Sequence, residues 1–225
     1  MRILILTGGT LCSNALERIH AFAPDRILAA DAGIGHCMRL NLVPDEALGD
    51  FDSAAEEAIA YMQEHQIPVT TFPAEKDDTD TELALKVAME QAGPGGKILL
   101  LGATGTRMDH TLANIFLLKQ AVDSGVRCEI ADDHNRIILL KGPDVTHLHQ
   151  DPVLRGVPGQ KSPDNISLLP VFGDAWGVTL RGFYYPLTDQ TMKAGETLGI
   201  SNYLVEEEGV IQLRQGYLLV VRAVD

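Results

Sequence analysis

Positive charge is scarce in this chain: 18 Lys and Arg stand against 31 Asp and Glu in 225 residues, a formal charge of −13. That balance has the wrong sign for gripping nucleic acid through phosphate neutralisation, so no nucleic acid is expected as a partner. A phosphate-bearing ligand must then arrive with a cation or meet locally placed basic groups. Cysteine is equally sparse. Cys12, Cys37 and Cys128 are odd in number, far apart and never spaced as CxxC, which points to neither a disulfide framework nor a zinc site and fits a reducing, cytoplasmic setting. Long apolar runs are missing too. The first, 3–6 (ILIL), meets Thr7, Gly8 and Gly9 far too soon for a signal peptide or a membrane span, so neither export nor a membrane partner is expected. There is no internal repeat and no low-complexity tract.

What is present falls into two textures. Over 1–142, short apolar runs at 3–6, 26–30, 69–72, 97–101 and 127–130 alternate with helical patterns. Two of these are 81–91, with Leu83, Ala84, Val87 and Ala88 on one face, and 111–121, with Leu112, Ile115 and Phe116 clustered. Such alternation predicts an α/β domain with a mostly parallel sheet. Over 143–225, turn residues recur between short runs at 166–170, 178–181, 196–200, 210–213 and 217–221. That pattern predicts an all-β sandwich or barrel-like domain. The stretch 145–165 reads as a linker or loop, because its 151–165 part (DPVLRGVPGQKSPDN) is rich in Pro, Gly and charge.

The chemistry concentrates in three loops, each running from an apolar stretch through acidic residues into a helix start. In the first, 49–53 (GDFDS), Ser53 and Glu56 have capping-box spacing; in the second, 76–80 (KDDTD), Thr79 and Glu82 repeat it. The third ends in Thr106-Arg107-Met108-Asp109, with Asp109 a candidate N-cap. All three are expected at the carboxyl edge of the sheet, where helix N-termini present unpaired N–H groups to anions. On extended backbone, Asp50 and Asp52 point the same way. Mg²⁺ is satisfied by a few carboxylates plus a polyphosphate, so the Asp50, Asp52 and Asp80 loops form a candidate divalent-metal site for handling a nucleotide polyphosphate. Taken singly, Asp80 and Asp109 read equally as helix caps, and Asp50 with Asp52 as a solvated turn. Lys76 and Arg107 fit either a salt bridge or a phosphate clamp. The 102–105 run (GATG) follows a strand and would let amides approach phosphate, yet lacks the full spacing of a Walker or dinucleotide fingerprint. Gly8-Gly9 reads as a turn.

Together these residues resemble the thiamine pyrophosphokinase (thiamine diphosphokinase) family over nearly the whole chain. The resemblance runs through 30–33 (ADAG), 44–45 (PD), 49–53, 76–85 (KDDTDTELAL), 101–114 (LGATGTRMDHTLAN), 166–170 (ISLLP), 177–187 (GVTLRGFYYPL) and 199–202 (GISN). It implies an N-terminal α/β nucleotide- and metal-binding domain, a C-terminal β-rich thiamine-binding domain, and a homodimer with thiamine between the subunits. It also implies the reaction, in which ATP and thiamine give AMP and thiamine diphosphate with Mg²⁺ as cofactor. By motif, Asp50, Asp52 and Asp80 correspond to the Mg²⁺ and pyrophosphate centre, with Asp109 close by in a catalytic role. Lys76, Asp77, Arg107, Thr104 and Asp31 correspond to ATP and phosphate contacts. Tyr185, Ser201 and Asn202 correspond to thiamine contacts, which suits a flat cation needing an aromatic face and polar partners; read without the resemblance, Tyr185 is a strand aromatic and 201–202 a turn. Two features depart from the family pattern. Ala32 and Thr106 each replace one glycine of a commonly doubled pair, and the 145–165 stretch is longer than usual. Two other functions suit the same residues: a phosphohydrolase with Asp50 as nucleophile, and a non-enzymatic thiamine-sensing module.

Overall fold

The structure, a computed structural model, describes residues 1–51, 54–72, 77–150 and 165–224. They form two compact units, Met1–Asp132 and Asp133–Asp225, with the division falling earlier than the change of texture at 142. No helix among the described residues is long and apolar enough to cross a membrane.

The first unit alternates strand and helix as its hydrophobic pattern requires. Its elements are β1 (Arg2–Leu6), α1 (Ala15–Phe22), β2 (Arg26–Ala30), α2 (Gly33–Leu40), β3 (Glu46–Gly49), α3 (Glu56–Glu64), β4 (Val69–Thr71), α4 (Asp80–Ala92), β5 (Lys97–Leu101), α5 (Met108–Asp123) and β6 (Arg127–Ala131). The strands pair in parallel in the order β4-β3-β2-β1-β5-β6. In β1 the residues from Ile3 to Leu6 are all 0% exposed, as expected of a parallel strand covered on both faces. From β1 the chain winds outward to β4, then returns to lay β5 against the other side of β1. The carboxyl ends of β1 and β5 therefore flank a topological switch point, where open α/β sheets place their ligands.

Local signals succeed where side chain and backbone agree. The Thr79 hydroxyl accepts the Glu82 N–H at 3.2 Å and caps α4. Of the Ser53–Glu56 box, Ser53 lies outside the described residues, and α3 has Ala55 at its N-cap position without a side-chain bond. On α5 the N-cap position is Arg107, which places Asp109 inside the first turn. The expected apolar face of α5 is also rotated. Asn114, Leu117, Leu118 and Ala121 are buried, while Leu112 and Phe116 are 44% and 51% exposed. Buried Asn114 fixes that rotation, because its amide donates to the Ala103 carbonyl at 2.7 Å.

The second unit comprises β7 (Asn135–Lys141), β8 (Asp144–His149), β9 (Asn165–Leu169), β10 (Ala175–Arg181), β11 (Leu187–Met192), β12 (Glu208–Leu213) and β13 (Tyr217–Ala223). Within it β7, β13 and β9 pair antiparallel, and so do β11, β10, β12 and β8. One core containing Leu140, Ile166, Val178, Ile211, Leu218 and Val220 draws on both sheets, so the unit is a β sandwich. The expected linker at 145–165 begins inside β8, where alternating exposed Val145, His147 and His149 with buried Thr146 and Leu148 pair against β12. Its 151–164 part lies outside the described residues. The run expected at 196–200 is a turn, closed by bonds from the Glu196 N–H to Lys193 and from the Ile200 N–H to Thr197.

Candidate functional site

A cleft of about 510 Å³ opens at the β1/β5 switch point of the first unit. Its walls are the loops leaving β1, β2 and β5 and the first turns of α4 and α5. The β1 and β5 exit loops are zipped together past the sheet. The Thr7, Gly9 and Thr10 N–H groups donate to the Leu101, Gly102 and Thr104 carbonyls at 2.9, 2.8 and 2.7 Å, and the buried Thr7 hydroxyl donates to Gly102 at 2.6 Å. This close approach requires glycine. A Cβ on Gly9 would lie 2.2 Å from the Gly102 carbonyl oxygen, and Gly102, at φ +73°, would place one 2.3 Å from that of Thr7.

Four of the expected residues, Asp31, Asp80, Thr104 and Arg107, line this cleft. Asp31 holds a left-handed φ of +46° at the end of β2. Its N–H donates to the Leu48 carbonyl at 2.8 Å, and Gly49 fits against it so closely that a Cβ there would be 3.2 Å from the Asp31 Cα. Asp50 follows directly, half-buried and outside the cleft lining. Asp77 is exposed in the turn before α4. Its neighbour Asp78 accepts from Lys86 at 2.8 Å; Lys86 also pairs with Glu82 at 3.2 Å, and Glu82 accepts from Gln120 of α5 at 2.8 Å. That chain of contacts ties the acidic turn to both helices at the cleft. Asp52 and Lys76 lie outside the described residues.

Arg107 and Asp109 sit at the mouth as an exposed two-pronged pair, at 2.5 and 3.2 Å. Hydrogen bonds from Arg107 hold the Asp109 carboxyl down at about 2. An ion pair so open to water contributes little, so exchanging Asp109 for a phosphate on the guanidinium costs little. Among the described residues, no three His, Cys, Asp or Glu side chains converge to cage a metal ion. The donor chemistry still fits Mg²⁺, which keeps several waters and needs only one or two carboxylates beside substrate phosphates.

The other expected residues are in the second unit. Tyr185 is 59% exposed and meets Tyr184 edge to face at 4.8 Å, while Tyr184 stacks on Tyr203 at 4.8 Å. Asn202 is 4% exposed. Its side-chain oxygen accepts the Tyr185 and Tyr203 N–H groups, both at 3.0 Å, and its amide donates to the Tyr185 carbonyl at 2.8 Å. The Asn202 side chain thus clamps the backbone beneath the aromatic patch. Ser201 is exposed at φ +57°, and its N–H donates to the Ser167 hydroxyl at 3.1 Å.

The model of the thiamin pyrophosphokinase catalytic domain matches residues 22–130, and that of the thiamin pyrophosphokinase vitamin B1 binding domain matches 157–218. Thiamine pyrophosphokinase of Bacillus subtilis (strain 168) is 31% identical over 225 residues, 99% of this chain and 99% of that one. The chain belongs to the thiamin pyrophosphokinase family. The crystal structure of thiamine pyrophosphokinase from Bacillus subtilis superposes with a TM-score of 0.85 at 30% identity, covering 100% of both chains. That of thiamin pyrophosphokinase from Geobacillus thermodenitrificans gives 0.82 at 31% identity, covering 100% of this chain and 98% of the other. Thiamine pyrophosphokinase 1 of Oryza sativa subsp. japonica is 29% identical over 77% of this chain and 63% of its own.

In this family member the cleft rests on residues to which the motifs assigned no role. Thr7, His36 and Asn114 are buried polar groups, 3%, 4% and 8% exposed, each bonded to a loop carbonyl. A Thr closing a strand, and an Asn at the end of the 101–114 run, eleven residues beyond the carbonyl it ties, are the traces that Thr7 and Asn114 leave in the sequence. Gly8 and Gly9 are part of the cleft wall and not merely a turn.

Proposed function

We propose that the chain is a thiamine diphosphokinase that transfers pyrophosphate from ATP to the thiamine hydroxyl, giving thiamine diphosphate and AMP. The carrying observation is the cleft at the β1/β5 switch point, lined by Asp31, Asp80, Thr104 and Arg107, in a chain that both domain models match. The thiamine hydroxyl attacks the β-phosphorus in line; the bond from that phosphorus to the AMP oxygen breaks, and the hydroxyl proton leaves to a carboxylate or to water. Such transfer asks the protein mainly to position and to neutralise. The first-turn N–H groups of α4 and α5 and the Arg107 guanidinium meet phosphate charge. Asp80 and Asp50, with Asp52, would hold Mg²⁺, which neutralises phosphate charge when bound.

The exposed Tyr185 ring offers a face for the thiamine cation, with Asn202 fixing the backbone beneath and exposed Ser201 preceding Asn202 in the chain. A homodimer is part of this reading. Met108, Leu112 and Phe116, at helical spacing on α5, are 65%, 44% and 51% exposed, a stripe that association would cover. So is a cytoplasmic location: all three cysteines are buried, and burial pushes the Cys37 thiol up to about 12.

Incubation with ATP, Mg²⁺ and thiamine, with AMP and ADP separated, tests the reading. AMP formed only when thiamine is present is expected. Phosphate-ester hydrolysis without ATP, or a trapped phosphoenzyme, points instead to a phosphohydrolase; tight thiamine binding without AMP points to a sensor.

A further inference from the structure

His36 of α2 is buried, and its two ring nitrogens have unlike partners. Nε2 lies 2.9 Å from the Gly9 carbonyl oxygen, and Nδ1 contacts the Arg39 guanidinium. A carbonyl oxygen only accepts, so the Gly9 contact requires a proton on Nε2; a guanidinium only donates, so the Arg39 contact requires a lone pair on Nδ1, and the two together specify the neutral ring protonated on Nε2. The ring also borders the second loop of the cleft, since a Cβ on Gly102 would be 3.4 Å from His36 Cδ2. Gly9, for its part, spends its N–H on the Gly102 carbonyl and has no room for a side chain. The imidazole therefore braces the β1 exit loop from behind, at a residue that also bonds the β5 exit loop.

We infer that His36 is a positioning residue for the nucleotide site: it donates from Nε2 to Gly9 and so holds the Gly8 to Thr10 wall of the cleft in its ATP-receiving shape, while Arg39 selects the donating tautomer. The inference rests on the cleft being the nucleotide site. It touches no substrate atom, and it separates the two ligands: bracing this wall affects ATP and leaves the Tyr185 patch alone. Burial lowers the His36 pKa from 6.5, and Arg39 lowers it further, both favouring the neutral ring.

The test is calorimetric binding of Mg-ATP and of thiamine to wild type, His36→Leu and His36→Gln. Gln offers both an N–H donor and an oxygen acceptor; Leu offers neither. His36→Leu is expected to weaken Mg-ATP about tenfold, the worth of one buried hydrogen bond, with thiamine affinity unchanged and His36→Gln recovering most of the loss. Unchanged ATP affinity in His36→Leu, equal losses in both variants, or a parallel loss of thiamine overturns the inference. Should His36→Leu not fold, nitrogen NMR of wild-type His36 decides: a neutral Nε2–H ring whose signal moves on adding Mg-ATP is expected, and an Nδ1–H tautomer, an imidazolium or an unmoved signal contradicts it. Wild type that binds ATP but forms no AMP with thiamine overturns the proposed reaction alone. AMP formation with an unaltered His36→Leu affinity overturns the brace alone.

Discussion

The two candidate regions solve recognition in opposite ways. In the first unit the β1/β5 cleft is made largely of backbone: glycines bring two loops to van der Waals limits, and buried Thr7, His36 and Asn114 spend their polar atoms on loop carbonyls. In the second unit the candidate surface is side chain, an aromatic cluster of exposed Tyr184 and Tyr185 with half-buried Tyr203, whose backbone is pinned by Asn202. A polyphosphate wants many fixed N–H donors and a cation. A flat cationic ring wants one aromatic face held still. The division follows ligand chemistry and predicts that damage to one region leaves affinity for the other ligand intact.

The largest effect is expected of Asp80→Ala, because Asp80 lines the cleft. Turnover is expected to fall on the order of 100-fold or more at saturating Mg²⁺, with thiamine KM nearly unchanged; near-normal kcat removes Asp80 from the reaction. Next is Asn202→Ala. Three bonds around a buried amide disappear, so unfolding free energy from urea melts should drop by roughly 1–3 kcal/mol. A rise in thiamine KM without that loss would make Asn202 a ligand contact and not a clamp. Tyr185→Ala removes an exposed ring, and thiamine KM should rise about tenfold with ATP KM unmoved.

The smallest effect is a pH dependence at the brace. The folded pKa of His36 is depressed by burial and by Arg39, against the bond to Gly9 that raises it. The unfolded chain therefore takes up the proton first as pH falls, and His36's contribution is present above 6.5 and shrinks as pH drops below it. The stability gap between wild type and His36→Gln should narrow on that side. A gap that widens on acidification contradicts the assigned tautomer.

Much of this architecture is legible in the residues. Apolar runs such as 26–30 and 97–101 coincide with β2 and β5, because parallel strands buried on both faces advertise themselves by composition alone. Thr79 with Glu82 announces α4 because the cap is local. β3 escapes notice for the opposite reason. It opens with Glu46, whose carboxylate is satisfied by Thr70 at 2.7 Å and lies 3.7 Å from Arg26, neither adjacent in sequence. β8 and β11 hide behind their polar residues, which in β11 run unbroken over 188–191, and the face of α5 is set by Asn114 reaching back to Ala103 against the apolar pattern. In the site, Asp31, Asp80, Thr104 and Arg107 are readable as motif residues. His36 is not, since its partner Gly9 is 27 residues away and only the fold brings them together.

In the proposed reaction, pyrophosphate moves as a unit from the nucleotide in the cleft to thiamine. ATP labelled separately at the β and γ phosphorus, turned over with Mg²⁺ and thiamine, tests it directly. Both labels are expected in thiamine diphosphate in equal yield, with unlabelled AMP as the other product. A γ label in thiamine monophosphate beside labelled ADP, or in free phosphate, would contradict it.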